Sequence, residues 1–298
     1  AIFGSASNAI TASISAVTKA ATAVAQVASD LVDSNPQQAI QLISVITSLL
    51  SNTSRTDRQT SCSCNNHGTC SQDQRCICKE GYFGKFCSLT RDEQQQRFTL
   101  MDSLISVLTR CSQAAFTTDA LSIQLHLFKD ITEMGDLSTS TLSKSTNSLK
   151  SITSSLITLS STATVAEIEE IVETLINTAS NIVTLQEDIT LNNSVTSSEK
   201  TTVNFDQLVL YNVSHTVMKS IYAKKFVNEV PTVISTPNIH ITGLVTSIGE
   251  SRTIESKWSN VSMPADVLTL SKYNSTVLHV IGWKNVPDAL NYGLSFDS

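Results

Sequence analysis

Residues 62–87 read CSCNNHGTCSQDQRCICKEGYFGKFC and hold six of the chain's seven cysteines. The spacing is C-x-C-x5-C-x5-C-x-C-x8-C. A stretch this short cannot bury enough apolar surface to hold itself together, so cross-links or a metal must replace a core. Zinc fits poorly. Cys62 and Cys64, like Cys76 and Cys78, have one residue between them, whereas zinc-binding pairs usually have two or more. Disulfides are therefore expected, although spacing alone leaves fifteen connectivities open. Disulfides in turn imply an oxidising compartment: secreted, luminal or on the cell surface.

The closing run Cys76-Ile-Cys78-Lys-Glu-Gly81-Tyr82-Phe-Gly84-Lys-Phe-Cys87 resembles an epidermal-growth-factor-like (EGF-like) module. The resemblance implies the bridges Cys62–Cys70, Cys64–Cys76 and Cys78–Cys87. Each would close a loop of roughly ten residues, worth about 3 kcal/mol in the chain-entropy picture. Gly81 and Gly84 suit turn positions with positive φ, and Tyr82 can pack on the bridges. The acidic pattern that calcium-binding modules carry before the first cysteine is missing. Arg55 to Ser61 stands there instead, so no metal is expected.

Composition narrows the class further. The 298-residue chain carries a net charge of −6, only 15% charged residues and 5% aromatics. Ser and Thr make up roughly a quarter of it. A polar, weakly charged surface suits secreted glycoproteins and suits nucleic-acid binding badly. No run approaches the roughly 18 apolar residues of a membrane-spanning helix. No charged segment precedes an apolar run at the start, so there is no signal peptide. Export then implies a mature piece of a longer precursor.

Apolar periodicity gives the elements. Residues 5–33 carry Ile10, Ile14, Val17, Ala21, Val24, Ala28 and Leu31 at alternating three and four spacing. This predicts a helix, packed within its own domain or against another subunit. Asn35-Pro36 starts a second helix that ends near Ser51-Asn52. Residues 52–61 are a polar linker. Thr90 with Glu93 forms a capping-box pattern. It opens a helix with Phe98, Met101, Leu104, Ile105, Leu108 and Cys111 on one face. The module is thus expected to project from a loop between two helices. Cys111 is expected as a buried free thiol, with an intermolecular bridge or a partner elsewhere as alternatives. Leu121, Ile123, Leu125 and Leu127 alternate, which predicts a strand over 119–127. Residues 137–162 and 164–187 keep helical period. The Ser/Thr of the former are expected on a solvated face, with O-glycans as the lesser reading.

Asn192 to Ser198 marks a change to Val, Ile, Thr and Tyr, interrupted by Pro231, Pro237 and Pro264. Candidate strands are 202–210, 232–235, 238–246, 253–258 and 277–283. The expected class is α+β: a helical domain with an inserted disulfide-stapled EGF-like module, followed by an antiparallel β-sandwich. The boundaries are 1–60 helical, 61–88 EGF-like, 89–195 helical again and 196–298 β-sandwich. Thr236 to Ile241 and Val261 to Leu268 resemble REJ/GAIN-type regions of polycystin-like proteins and adhesion receptors, which imply helices followed by a sandwich. The His-Leu-Ser/Thr cleavage site of that family is missing, so autoproteolysis is not implied. EGF-like modules also occur in flagellar hairs (mastigonemes) of heterokont algae, which this chain resembles in general make-up.

Sequons stand at Asn52, Asn192, Asn212, Asn260 and Asn274 and are expected to be N-glycosylated near loops or strand ends. No metalloprotease, nucleophile-elbow or phosphate-loop motif occurs. His67, His126, His215, His240 and His279 are scattered. The expectation is a non-enzymatic, secreted structural glycoprotein without cofactors that assembles with copies of itself, as a filament or flagellar-hair subunit. The alternative is a receptor ectodomain that binds protein partners.

Overall fold

A computed structural model describes residues 14–55, 64–71, 75–113, 117–196, 207–222, 224–247, 252–255, 260–263 and 275–283. The first helices are α1 (Ile14–Leu31) and α2 (Pro36–Arg55). The turn between them is fixed locally. The Asn35 amide donates to Leu31 O at 2.7 Å, and Asn35 Oδ1 accepts from the Gln38 amide at 3.1 Å, as an N-cap should. A short hairpin follows, β1 (Gly68–Cys70) against β2 (Cys76–Cys78). Then come α3 (Arg91–Gln113), α4 (Thr118–Met134), α5 (Thr139–Ser160) and α6 (Val165–Thr196). The capping box before α3 forms: Glu93 Oε2 accepts from the Thr90 amide at 2.9 Å. Thr164 and Glu167 build the same device before α6, with Glu167 Oε2 accepting from the Thr164 amide at 2.7 Å.

Two strand expectations give way to helices. Residues 119–127 lie within α4. There Leu121, Leu125, Phe128 and Ile131 are buried at helical spacing, with Leu127 beside them, while Ile123 is 43% exposed. The alternating leucines hid an i, i+4 stripe. The cap decided the outcome: Thr117 accepts from the Ala120 amide, and Gly135 ends the helix with φ 89°. The 202–210 strand fails likewise over Gln207–Leu210, which belong to α7 (Gln207–Tyr222), and 202–206 lie outside the described residues. Val213, Val217, Met218 and Ile221 bury one side of α7 against α5 and α6, so the helical body continues past residue 196.

Five strands follow: β3 (Thr232–Ser235), β4 (Ile239–Ser247), β5 (Arg252–Glu255), β6 (Asn260–Met263) and β7 (Ser275–Trp283). They form an antiparallel sheet in the order β3-β4-β7 and a separate β5-β6 pair. Among the described residues after 222 there is one three-stranded sheet and one two-stranded pair, and a β-sandwich is not shown. The class is α+β. Ile234, Ile239, Ile241, Val245 and Ile281 join the helices in one apolar core. Asn238, just before β4, fixes sheet to helix: its Nδ2 donates to Ser180 O at 2.9 Å and Thr184 Oγ1 at 2.7 Å on α6.

Helices so rich in Ser and Thr can pack because the hydroxyls satisfy themselves. Thr47, Ser145, Thr146, Thr153 and Thr178 are buried, and each donates to the carbonyl four residues back. On α5 the solvated-face expectation holds for Ser140, Ser143, Ser154 and Thr158, which are exposed, but not for the buried ones. Thr141, Ser145, Thr146, Ser148 and Thr153 are buried because α3, α6 and α7 all pack against that helix.

Candidate functional site

The stapled module is the site that the chemistry singles out. Cys64–Cys76 and Cys78–Cys87 are bonded, as the EGF-like resemblance implied. Cys70 is disulfide-bonded too, while its expected partner Cys62 lies outside the described residues. The Sγ atoms of Cys64, Cys70 and Cys76 lie within 4.8 Å of one another, a grouping that could ligate a metal only as thiolates. Their disulfides remove that option.

The backbone of the module depends on special residues. Gly81 and Gly84 take φ 87° and 83°, and Asn65 and Asn66 take 49° and 61°. Gly68 is required for a different reason. A Cβ there would sit 2.6 Å from Ile77 O and 2.7 Å from Cys87 Sγ. Tyr82 stacks on His67, with ring centroids 3.7 Å apart and planes at 5°.

The module does not project. It lies against the helical body, which corrects the expectation of a free loop insertion. Arg75 reaches α6, its Nη2 donating to Glu187 Oε2 at 2.8 Å and its Nη1 to Asp188 Oδ1 at 3.0 Å. Burial pushes the Asp188 carboxyl up, against the pull of Arg75. At the other end, Phe83 and Leu89 exchange backbone hydrogen bonds of 2.9 and 3.1 Å, and Leu89 is buried. Lys85 packs beside Gly135, and Gly84 beside Asp136. Asp136 accepts from Arg97 Nη1 at 2.9 Å inside the body. Burial pushes its carboxyl up further than Arg97 draws it down. Between module and body lies a cleft of about 780 Å³, with Ile77 and Tyr82 on one side and Arg91, Phe98, Leu137 and Ile189 on the other.

None of these docking residues was legible beforehand. Arg75, Glu187, Asp188, Arg97 and Asp136 belong to no motif, and the pairs are separated by 39 to 113 positions. Cys111 is free and buried, its Sγ 3.9 Å from Pro36 O, as expected from its place on the apolar face. Burial pushes its thiol up to about 11.

The sequons are spread over helices and a strand end. Asn52, Asn192 and Asn212 lie on α2, α6 and α7, and Asn260 opens β6. Asn274 lies outside the described residues. The Asn212 sequon is the surprise, since the helix α7 runs through it. Among the histidines, His67 is in the module, His126 on α4 and His240 on β4, where its Nε2 lies 3.1 Å from Thr242 Oγ1.

Residues 66–89 match the family described as "Protein jagged-1-like, atypical EGF2". The module is EGF-like. The match covers this segment only, and it bears on neither the REJ/GAIN-type nor the flagellar-hair resemblance. No curated protein matches the chain. An EGF-like module with closed disulfides fits an extracellular or secreted protein. No helix among the described residues is long and apolar enough to cross a membrane.

Proposed function

We propose that the chain is a non-enzymatic structural glycoprotein that assembles with copies of itself outside the cell, as a filament or flagellar-hair subunit. One feature carries this reading: an apolar rim at residues 226–233. Phe226 is 80% exposed, Val230 78% and Val233 58%. The rim is held rigidly. The Asn228 amide donates to Val245 O at 2.8 Å, and Glu229 Oε2 accepts from the Phe226 amide at 2.9 Å. It runs directly into β3, an edge strand among the described residues. Exposed apolar side chains beside an unpaired strand edge favour association. A second copy is the occupant the proposal names. A head-to-tail contact that does not close on itself would build a filament. The five sequons would carry glycans on the surfaces left outside the contact.

Negative-stain imaging of the oxidised, glycosylated chain at rising concentration tests the proposal. Regular polymers support it, and monomers at every concentration sink it. A second reading stands beside it. The matched EGF-like module is equally compatible with the alternative, a receptor ectodomain that binds protein partners. A membrane span in the full-length gene product would favour that reading.

A further inference from the structure

The apolar rim and the cleft beside the module lie towards opposite ends of one helix. Val230 and Val233 of the rim line a hollow with Glu169 and Glu173, near the start of α6. Lys224, just before the rim, donates to Ala163 O at the turn between α5 and α6. The cleft instead takes in Ile189, late in α6, and Leu137 to Thr139 at the start of α5. From Glu169 or Glu173 to Ile189 is 20 or 16 residues of continuous helix, about 24–30 Å at 1.5 Å per residue. One chain therefore does not seat its own rim in its own cleft.

We propose that the cleft of one copy is the seat for the 226–233 rim of the next, so that copies join head to tail. The inference rests on the self-assembly reading and adds the acceptor surface to it. The cleft of about 780 Å³ falls within the roughly 300–1,000 Å³ of ordinary binding pockets. Its walls include Ile77, which is 40% exposed, and the half-buried Tyr82, Phe98 and Ile189, so apolar surface is left for a partner to cover. Phe226 and Val230, the most exposed side chains of the rim, supply an aromatic and an aliphatic anchor for such a pocket.

Charge points to the same pairing. Glu229 is exposed, and its carboxylate accepts from the Phe226 amide. The lysines near it are already engaged, Lys224 by Ala163 O and Lys225 by Glu169 at 3.1 Å. In the cleft, Lys79 and Arg91 stand against one acid, Glu80. Arg91 is exposed and has no hydrogen bond or ion pair among the described residues. Seating the rim brings the Glu229 carboxylate to the Arg91 guanidinium. A rim-to-rim contact would instead bring two Glu229 carboxylates to one interface, which like-charge repulsion disfavours. Contact between two different surfaces at opposite ends of a body does not close on itself with two copies.

Sedimentation velocity of the intact, oxidised protein tests the pairing. Arg91→Glu and Glu229→Arg should each raise the concentration needed for association about tenfold, and the double variant Arg91→Glu with Glu229→Arg should return towards the parent. Arg91 opens α3, where an acid suits the helix dipole, and both positions are exposed, so folding is spared. Mixing gives a second arm. Val230→Asp removes the rim and keeps the cleft, while Ile77→Asp does the reverse. Each alone should be monomeric, and an equimolar mixture should form one-to-one dimers and nothing larger. If the parent associates and Ile77→Asp and Arg91→Glu associate equally well, the cleft is not the seat, although self-assembly stands. A double charge variant no better than the single ones overturns the pairing in the same way. A parent that stays monomeric removes both readings.

Discussion

Arg97 donates to Asp136 at 2.9 Å, with the two side chains only 5% and 9% exposed. The pair joins α3 to the α4–α5 turn directly beneath Gly84 of the module. Arg97 Nε has no partner among the described residues, so the guanidinium relies on this one carboxylate. Asp136→Ala would leave a buried, uncompensated cation. The expected loss is about 3–5 kcal/mol in denaturant unfolding. Replacing both partners, Arg97→Met with Asp136→Leu, should recover most of it, because apolar groups of similar volume remove the desolvation penalty.

Gly68 and Gly81 should respond oppositely to the same change. At Gly68 an added methyl meets a carbonyl oxygen and a disulfide sulfur, neither of which can move aside. Gly68→Ala is expected to block native pairing, seen as scrambled disulfides on peptide mapping. At Gly81 nothing lies within 4 Å. Gly81→Ala should fold and lose only about 1–2 kcal/mol from the left-handed backbone.

Arg75 ties the hairpin to α6 from a half-exposed position, each of its partners about a quarter to a third exposed. Solvent screening limits the pair to about 0.5–1 kcal/mol. Arg75→Gln should leave global stability nearly unchanged but speed hydrogen exchange of Ile77 and Cys78 several-fold. High salt should produce the same change in the parent and none in the variant.

Cys111 gives a pH dependence with a definite sign. Its folded thiol titrates near 11 rather than the ordinary 9.0, because burial disfavours the thiolate. A raised folded value means the unfolded chain loses the proton first. The contribution is therefore complete below about pH 9 and is lost as pH rises towards 11. Cys111→Ala should flatten that part of the stability profile relative to the parent. The thiol should also resist alkylation in the native protein and react once it is unfolded.

The module was legible because its cysteines and glycines each answer a local demand. The helices were legible where caps and period agreed, as at Asn35, Thr90 and Glu93. They were misread at 119–127, where alternating leucines also satisfied an i, i+4 stripe and the Thr117 cap was overlooked. The same happens at 207–210, where Val and Leu suggest a strand but the residues belong to a helix that packs on α5 through Val213, Val217, Met218 and Ile221. The strands at 232–235 and 277–283 came close to their bounds because β-branched runs sit between turn residues. Arg75 and Asp136 could not be found in this way. A long-range ion pair leaves no periodic trace in the sequence, and the docking of the module rests on such pairs.

Self-association through the 226–233 rim is tested most directly by sedimentation velocity of the oxidised chain over a wide concentration range, alongside Val230→Asp. Val230 is 78% exposed, so the substitution should not disturb folding. The account predicts growing, concentration-dependent species for the parent and a monomer for Val230→Asp under identical conditions. A parent that stays monomeric throughout, or a variant that associates equally well, would contradict it.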